Sequence, residues 1–189
     1  MGYFYMCAGD VMAIKYAILG LLSWKPLSGY DLKKIMVDSA AFYWSGNNNQ
    51  IYKTLVQLHE EELVEIEVRQ QENYPPRKEY TITARGAAAL REWVLSAPEL
   101  TQFRNTFLIQ LAWADQLEAA ELDGLLARYE HAVEMQVLML QERERRGVLN
   151  PARTQREEYL WREISGYFTA AYTAELAWVR MVRKEVATL

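Results

Sequence analysis

The chain has 189 residues, of which 51% are hydrophobic and 24% charged, an ordinary globular composition that predicts a packed core. Its formal net charge of −4 argues against a strong general attraction to nucleic acid. The charges are uneven, however: residues 13–96 carry equal numbers of basic and acidic residues, so the acidity does not exclude a nucleic-acid partner.

Sequence features for export, membrane insertion or metal binding are weak. No apolar run is long enough to span a bilayer, and residues 1–12 lack the basic and apolar regions of a signal peptide. A single cysteine, Cys7, excludes an intramolecular disulfide and fits a reducing cytoplasm. His59 and His131 lie far from each other and from Cys7 along the chain, so we expect no metal site and no cofactor.

The sequence pattern of the first half of the chain predicts three helices, two strands and a fourth helix. Residues 13–22 are almost wholly apolar, as expected of a buried first helix. Pro26 and Gly29 interrupt this pattern. Ser28 and Asp31 then have the spacing of a capping pair at the start of a second helix.

A third helix is predicted over residues 47–60. Ile51, Leu55 and Leu58 recur at helical spacing and should form one inward-facing stripe. The residues on the opposite side must then face water, and these are Asn49, Lys53 and Val56, flanked by Asn48 and Tyr52. At the far end of the helix a group of carboxylates would repel phosphate, namely Glu60, Glu61 and Glu62.

The run NNNQ at the start of this helix is unusual because asparagine is a poor helix former. Asn47 can be the N-cap residue and Gln50 can complete a capping pair, which explains one asparagine and the glutamine. A cap does not explain Asn48 and Asn49. We therefore expect at least one of these two side chains to contact a partner.

After the third helix the spacing of the apolar residues changes from helical to alternating. This pattern predicts two half-buried strands, residues 63–70 and 77–83. Residues 70–76 should connect them, since proline is excluded from the interior of a sheet and Pro75 and Pro76 lie in this segment. The hairpin has a polar tip flanked by three cations, Arg69, Arg77 and Lys78.

Helices account for the rest of the chain. Thr83 begins the fourth helix, and further helices are predicted over residues 101–113, 118–145 and 153–187, with a domain boundary at residues 96–101. The last helix carries more aromatic surface than one half-domain readily buries, so a second copy of the chain is the economical partner. The predicted dimer contacts are Trp161, Ile164, Phe168, Tyr172, Trp178 and Val182.

The order helix, helix, helix, hairpin, helix is typical of a winged helix-turn-helix, in which the third helix enters the DNA major groove and the wing follows the backbone. Asparagine can pair with the adenine edge, lysine can reach guanine or phosphate, and tyrosine can hold a phosphate. The predicted DNA contacts are Asn48, Asn49, Tyr52 and Lys53 on the helix, and Arg69, Arg77 and Lys78 on the wing.

The segments AIKYAILGLLSWKPLSGYDL, QIYKTLVQLHEEELV and PPRKEYTITARG resemble the winged-helix domain of PadR-like transcriptional regulators. The aromatic FYW before the third helix and the helical second half are similar to the virulence-activator branch of that family. This resemblance covers residues 12–187 and implies a dimeric cytoplasmic DNA-binding regulator whose C-terminal helices provide the dimer contacts. Two positions depart from the family pattern: Glu62 stands where many relatives have glycine, and NYPP replaces a Gly-Arg-Pro wing tip.

We therefore predict a mainly α protein with a small β wing. It comprises an N-terminal extension (residues 1–11), a winged-helix DNA-binding domain (12–96) and a helical dimerisation domain (97–189). Because relatives bind aromatic effectors, a small aromatic effector is an alternative use of the C-terminal aromatic residues, whereas core packing is the simpler one. A winged-helix adaptor that binds only proteins is the alternative function. Nucleotide-binding and hydrolase motifs are absent from the sequence, so no enzyme activity is expected.

Overall fold

A computed structural model describes residues 8–39, 42, 48–71, 74–100, 105–147 and 149–188. The chain folds as two compact units. The first comprises Met1–Pro98 together with Leu149–Glu158, and the second comprises Glu99–Val148 together with Tyr159–Leu189. Each unit has its own buried apolar cluster.

The first unit contains four helices and three strands. The helices are α1 (Ala8–Trp24), α2 (Gly29–Asp38), α3 (Asn48–Glu60) and α4 (Ala84–Leu95), and the strands are β1 (Leu27–Ser28), β2 (Val64–Gln71) and β3 (Tyr74–Ile82). The predicted order of three helices, a hairpin and a fourth helix is therefore confirmed. The first helix is longer than predicted, because α1 begins at Ala8 and so includes residues assigned to the N-terminal extension.

The core of the first unit is built from α1, α2 and α3. The largest contribution comes from α1, which buries Ile14, Ile18, Leu19, Leu21 and Leu22. Helix α3 adds Ile51, Leu55 and Leu58, all buried, which confirms the predicted inward-facing stripe. The opposite side of α3 is left to face solvent.

Helix α2 begins with the predicted capping pair. The Asp31 backbone N–H donates to the Ser28 hydroxyl at 3.2 Å, and the Ser28 backbone N–H donates to the Asp31 carboxylate at 3.1 Å. These two bonds satisfy backbone donors that the first turn of a helix leaves unpaired. They also fix the position of the Asp31 carboxylate at the start of α2.

The three strands form an antiparallel sheet with the order β1-β3-β2. Val64 and Ile66 of β2 lie opposite Ile82 and Tyr80 of β3, and this apolar face packs on the core of the first unit. The agreement with the predicted alternation follows from the two-residue period of a strand with one face buried.

The prediction that Pro75 and Pro76 lie outside the sheet is wrong, because β3 begins at Tyr74 and contains both prolines. The strand β3 has one residue more than β2 between two successive pairs of the ladder, Arg69–Arg77 and Gln71–Tyr74. The short strand β1 pairs with β3 only near Tyr80. The prolines therefore occupy an irregular part of the ladder, on an edge that β1 does not cover, where a missing N–H group is tolerated.

The end of α3 explains why the position of Glu62 favours glycine. The Leu63 N–H donates to the Leu58 carbonyl at 2.9 Å, and the Glu62 N–H donates to the His59 carbonyl at 3.0 Å. This pair of bonds is a Schellman motif, which requires a left-handed residue just after the helix. Glu62 is that residue, with φ of 59°. A glycine would adopt the same conformation without steric strain.

The turn after α3 also anchors α4. Thr83 is the N-cap of α4: its hydroxyl accepts from the Gly86 N–H at 3.0 Å and donates to the Glu62 carbonyl at 2.8 Å. Helix α4 and this turn approach each other closely, since a Cβ atom on Gly86 would lie 2.1 Å from the Leu63 carbonyl oxygen. Only glycine fits at this crossing of α4 and the turn.

The second unit is helical. It contains α5 (Thr106–Ala112), a short 3-10 helix (Ala114–Gln116), α6 (Ala119–Arg146) and most of α7 (Gln155–Val186). Its core is formed by Phe107, Leu126, Val133, Val137, Leu176 and Val179. Ion pairs connect α6 and α7, including Arg183–Asp123 at 2.7 Å and Arg180–Glu130 at 2.9 Å. Helix α5 is shorter than the predicted helix 101–113, of which residues 101–104 lie outside the described residues.

A segment from late in the chain completes the first unit. Residues Leu149–Glu158 belong to it, and Pro151 is buried there. The Arg153 guanidinium donates to the Ser23 carbonyl oxygen at 2.9 Å, near the end of α1 where carbonyl groups lack helical partners. Glu157 pairs with the same guanidinium and holds it in place.

Candidate nucleic-acid interface

The solvent-facing side of α3 carries the polar residues singled out from the sequence. Asn49 and Lys53 are exposed, while Tyr52 and Val56 beside them are 48% and 56% exposed. This arrangement follows from the buried stripe on the opposite side, because helical geometry fixes which residues face away from it. Asn48 begins α3, but its side chain and all of Asn47 lie outside the described residues.

A groove of about 530 Å³ lies beside α3, between this helix, the start of α2 and strand β3. We call it the α3–wing groove, and its lining includes Tyr30, Tyr52, Val56, Pro76, Arg77 and Lys78. Tyr52 packs against Gly29, where a Cβ atom would lie 2.6 Å from the tyrosine Cε1 atom. The missing side chain at Gly29 therefore lets Tyr52 form one wall of the groove.

Tyr30 is a candidate contact that the sequence reasoning missed. It is 69% exposed and lines the α3–wing groove from the first turn of α2. The signal was present, since a large aromatic residue two positions after the N-cap Ser28 has no turn of its own helix to cover it. Periodicity alone gave it no special weight because α2 packs on the core through Leu32 and Ile35.

The three wing cations differ in how they are paired. Arg77 forms an ion pair with Asp31, and Arg69 pairs with Glu79 at 2.8 Å. Lys78 is exposed and has no ion-pair partner among the described residues. Carboxylates therefore neutralise the two arginines, whereas contact of the three cations with phosphate stays a prediction.

Asp31 remains ionised while it holds Arg77. Partial burial raises the pKa of its carboxyl group, but hydrogen bonds from Ser28 and the positive charge of Arg77 outweigh this effect, so the pKa lies below its usual value of 3.8. The same carboxylate accepts hydrogen bonds from the Ser28 backbone and from its hydroxyl group. A fixed negative charge therefore lies next to the wing.

The acidic end of α3 is also partly neutralised. Glu61 pairs with Lys15, and a hydrogen bond from Lys15 is the main cause that lowers the pKa of Glu61. Glu62 pairs with Arg85 at 2.9 Å. The repulsion of phosphate expected from this end of the helix is therefore smaller than three unpaired carboxylates would give.

The predicted dimer contacts on α7 fall into two groups. Tyr172, Trp178 and Val182 pack against the core of their own unit, and Trp178 lies edge-to-face on Phe107 with ring centroids 6.3 Å apart. Trp161 and Phe168 are half-buried, and Ile164 is 39% exposed. Core packing within the chain therefore accounts for much of the aromatic surface that suggested a partner.

An exposed apolar stripe nevertheless remains on α7. Leu160, Ile164 and Tyr167 recur at helical spacing and are 53%, 39% and 60% exposed. Such a stripe on a long helix normally packs against another surface. Tyr167 was not among the predicted contacts, although its spacing from Ile164 places it on the same face.

A polar cluster connects the three helices of the second unit. The Asn105 side-chain amide donates to the Tyr129 hydroxyl at 2.8 Å and to the Glu175 carboxylate at 3.2 Å, and the Tyr129 hydroxyl also donates to Glu175. Burial and the acceptor Glu175 raise the pKa of Tyr129 to about 12. The Tyr129 ring stacks on Phe107, with 3.6 Å between centroids.

The part of the chain that the structure describes contains neither a membrane-spanning helix nor a metal-binding cluster. None of its helices combines the length and the apolar character needed to cross a bilayer. Nor do its His, Cys, Asp and Glu side chains form a group of three or more that could hold a metal ion.

Three helices, a β-hairpin and an exposed polar face on the third helix define a winged helix-turn-helix domain. Residues 18–92 match the family described as the transcriptional regulator PadR-like family. This part of the chain is a PadR-like domain.

Two curated relatives are described as transcriptional regulators. The negative transcriptional regulator PadR of Bacillus subtilis (strain 168) is 29% identical over 113 residues, which cover 59% of this chain and 62% of the relative. The probable transcriptional regulator Rv1176c of Mycobacterium tuberculosis is 32% identical over 83 residues, 44% of each chain. The aligned part thus spans less than two thirds of either relative.

The likeness to solved structures extends over nearly the whole chain. Bacillus subtilis PadR in complex with operator DNA has a TM-score of 0.79 at 22% identity, covering 92% of this chain and 99% of that one. The Vibrio cholerae virulence activator AphA has a TM-score of 0.70 at 24% identity, covering 93% and 98%. At these identities the comparison establishes a common fold.

Proposed function

We propose that the protein is a sequence-specific DNA-binding transcriptional regulator that acts as a homodimer. Helix α3 enters the major groove, and the wing formed by β2 and β3 follows the phosphate backbone. The observation that carries this proposal is the exposure of Asn49 and Lys53 on α3, beside a groove lined by Lys78, which has no ion-pair partner among the described residues. The PadR-like domain and the likeness to an operator-bound relative support the same function.

The side chains on α3 suit base recognition. Asn49 can make two hydrogen bonds to an adenine edge, and Lys53 can reach guanine or a phosphate oxygen. Val56, the apolar residue on this face, suits contact with a thymine methyl group. Tyr52 and Lys78 would contact the phosphate backbone of the DNA, where contacts set the position of the protein but read no sequence.

The proposed dimer uses the exposed stripe on α7. Leu160, Ile164 and Tyr167 would pack against a second copy, since symmetric dimers are the commonest homo-oligomers. Two α3 helices would then address half-sites about 34–36 Å apart, one turn of DNA. This function requires access to DNA, from which we infer a cytoplasmic location.

The test is binding to DNA selected by the full chain from a random pool. Asn49→Ala and Lys53→Ala should each weaken binding by about 1–3 kcal/mol in a mobility-shift assay. Gln57→Ala is the control. Gln57 lies one turn beyond Lys53 along α3, and its side-chain amide donates a hydrogen bond to the Glu61 carboxylate at 2.7 Å. Unchanged binding of both variants would refute the proposed recognition helix.

The alternative function is a winged-helix adaptor that binds only proteins. The equal numbers of basic and acidic residues in residues 13–96 favour it. Chromatography on a heparin or DNA column separates the two, because a DNA-binding regulator is retained at low salt and released as salt rises. An adaptor would pass through.

A small aromatic acid is the candidate effector. Bacillus subtilis PadR is known in complex with p-coumaric acid, and the second unit here combines Phe107, Tyr129 and Trp178 with the polar group of Asn105. The Tyr129 and Trp178 rings both pack on Phe107, so a ligand would have to displace them. Calorimetric titration with p-coumaric acid tests this: no heat and no change in DNA affinity would exclude it as an effector.

A further inference from the structure

The pairing of Arg77 bears on how the protein would distinguish its operator from other DNA. Arg77 is the wing cation that lines the α3–wing groove together with Tyr52 and Val56 of α3. Its guanidinium is held by Asp31, on a different element and 46 residues away in the sequence. The partner is therefore supplied by the fold and not by the wing itself.

Asp31 is the fixed member of this pair. One of its carboxylate oxygens, Oδ2, accepts from the Ser28 N–H at 3.1 Å and from the Ser28 hydroxyl at 2.7 Å, in addition to Arg77. These bonds anchor the carboxylate to the first turn of α2. Arg77 is partly exposed on the strand that leads to the wing tip, so it is the member that can move to another anion.

We propose that Asp31 is a specificity-determining residue: it neutralises Arg77 on non-operator DNA and releases it to a phosphate only when α3 is seated in a matching major groove. This inference rests on the proposed DNA-binding function. It assigns to an acidic residue of α2 a role in the discrimination between DNA sequences, beyond any direct contact that α3 makes with the bases.

The electrostatics of non-operator binding support the first half of this proposal. Non-specific affinity comes from cations that replace the counterions condensed on DNA. An arginine paired with a fixed carboxylate adds no net charge, so Arg77 contributes little to this diffuse attraction while the pair is closed. Arg69 is held in a similar way by Glu79, which leaves Lys78 as the wing cation without a partner among the described residues.

The geometry of the groove supports the second half of the proposal, the release of Arg77 to a phosphate. Arg77 lines one groove together with two exposed residues of α3, Tyr52 and Val56. A DNA backbone that passes along this groove would therefore present a phosphate to Arg77. An ion pair that is partly exposed is weak and is screened by salt. A phosphate held in place by the contacts of α3 can therefore replace the Asp31 carboxylate, whereas loosely bound DNA cannot hold a phosphate there.

The experiment measures the affinity of the full chain for a selected operator and for an unrelated duplex over a range of salt concentrations. Asp31→Asn should raise the affinity for the unrelated duplex about three- to tenfold at 0.1 M salt and steepen its salt dependence by about 0.9 units of slope. The ratio of operator to non-operator affinity should fall. Asp38→Asn is the matched control, because it removes the same charge from an exposed position of α2 that forms no ion pair with an arginine in the described part of the chain.

Arg77→Ala tests the same proposal without altering the cap of α2. It should weaken operator binding and flatten the operator salt slope by about 0.9, with little effect on the unrelated duplex. In combination with Asp31→Asn it should abolish the gain in non-operator affinity. Equal effects of Arg77→Ala on both duplexes, or identical behaviour of Asp31→Asn and Asp38→Asn, would overturn the proposal. Wild-type protein that binds neither duplex would instead refute the proposed function itself.

Discussion

The backbone carbonyl oxygen of Leu63 lies 2.1 Å from the position that a Cβ atom on Gly86 would occupy. Gly86→Ala would force α4 away from the turn after α3, because a backbone atom cannot move aside as a flexible side chain can. We expect the free energy of unfolding to fall by about 1–3 kcal/mol or more, measured by urea denaturation.

Gly20→Ala is the matched control for this change. Gly20 lies inside α1, and a Cβ atom there would meet nothing within 4 Å. Since alanine is the better helix former, this variant should be unchanged or stabilised by up to about 1 kcal/mol. Equal loss of stability in the two variants would contradict the proposed clash at Gly86.

Replacement of Glu62 by glycine should stabilise the protein. It has a φ of 59° at the end of α3, where a side chain adds strain. Glu62→Gly removes that strain and loses only an exposed ion pair with Arg85. We expect the melting temperature to rise, corresponding to about 0.5–1 kcal/mol of added stability.

Two controls separate the contributions at this turn. Glu60→Gly places glycine within the last turn of α3 and should destabilise the protein by about 1 kcal/mol. Glu62→Gln keeps the side chain but removes the charge, so it measures the ion pair alone. If Glu62→Gly were as destabilising as Glu60→Gly, the left-handed conformation would not be the cause of the effect.

Sequence periodicity was sufficient to place Asn49 and Lys53 on the exposed side of α3. Once Ile51 and Leu55 are buried, helical geometry determines which residues face solvent. The ion pair of Arg77 could not be predicted in this way, because its partner Asp31 lies 46 residues away and only the packing of β3 beside α2 brings them together.

The incorrect prediction for Pro75 and Pro76 has a similar origin. Proline is indeed excluded from a continuous ladder, but the sequence does not reveal where β1 stops pairing with β3.

The aromatic residues of α7 show a related limit of prediction from sequence. Composition indicates that Trp178 needs a packing partner, yet it cannot indicate that Phe107 of the same chain supplies it.

The Tyr129 phenol should ionise at an unusually high pH, and its ionisation should affect the stability of the protein at alkaline pH. Its pKa is raised to about 12, mainly by burial and by the hydrogen bond to Glu175, so the folded protein favours the protonated phenol. The stabilisation is fully present below pH 10 and is lost as the pH rises through about 12. Ultraviolet difference spectra should show a phenol that ionises near pH 12.

Tyr129→Phe tests this assignment. The variant should lack the late spectroscopic step, and its stability should fall less between pH 10 and 12 than that of the wild type. Tyr80, whose pKa is also raised by burial, remains in both proteins and provides an internal reference. Persistence of the late step in the variant would assign it to another tyrosine.

The exposed stripe on α7 predicts how the proposed dimer can be broken. Leu160→Glu together with Tyr167→Glu would place two charges in an interface that excludes water, and an unpaired buried charge is strongly unfavourable. Sedimentation velocity should show a shift from dimer to monomer. Lys184→Glu, an exposed charge change near the other end of α7, should leave the dimer intact. A double variant that remains dimeric would locate the interface elsewhere.

The return of Leu149–Glu158 to the first unit affects any attempt to transplant the proposed DNA-binding module. A fragment that stops at Pro98 would contain α1 to α4 and both long strands. It would lack the Arg153 guanidinium, which donates to the Ser23 carbonyl near the end of α1, and it would lack the buried Pro151. The module is therefore assembled from two separate stretches of polypeptide. A chimera that exchanged only the N-terminal stretch with a relative would join mismatched halves of a single folded body.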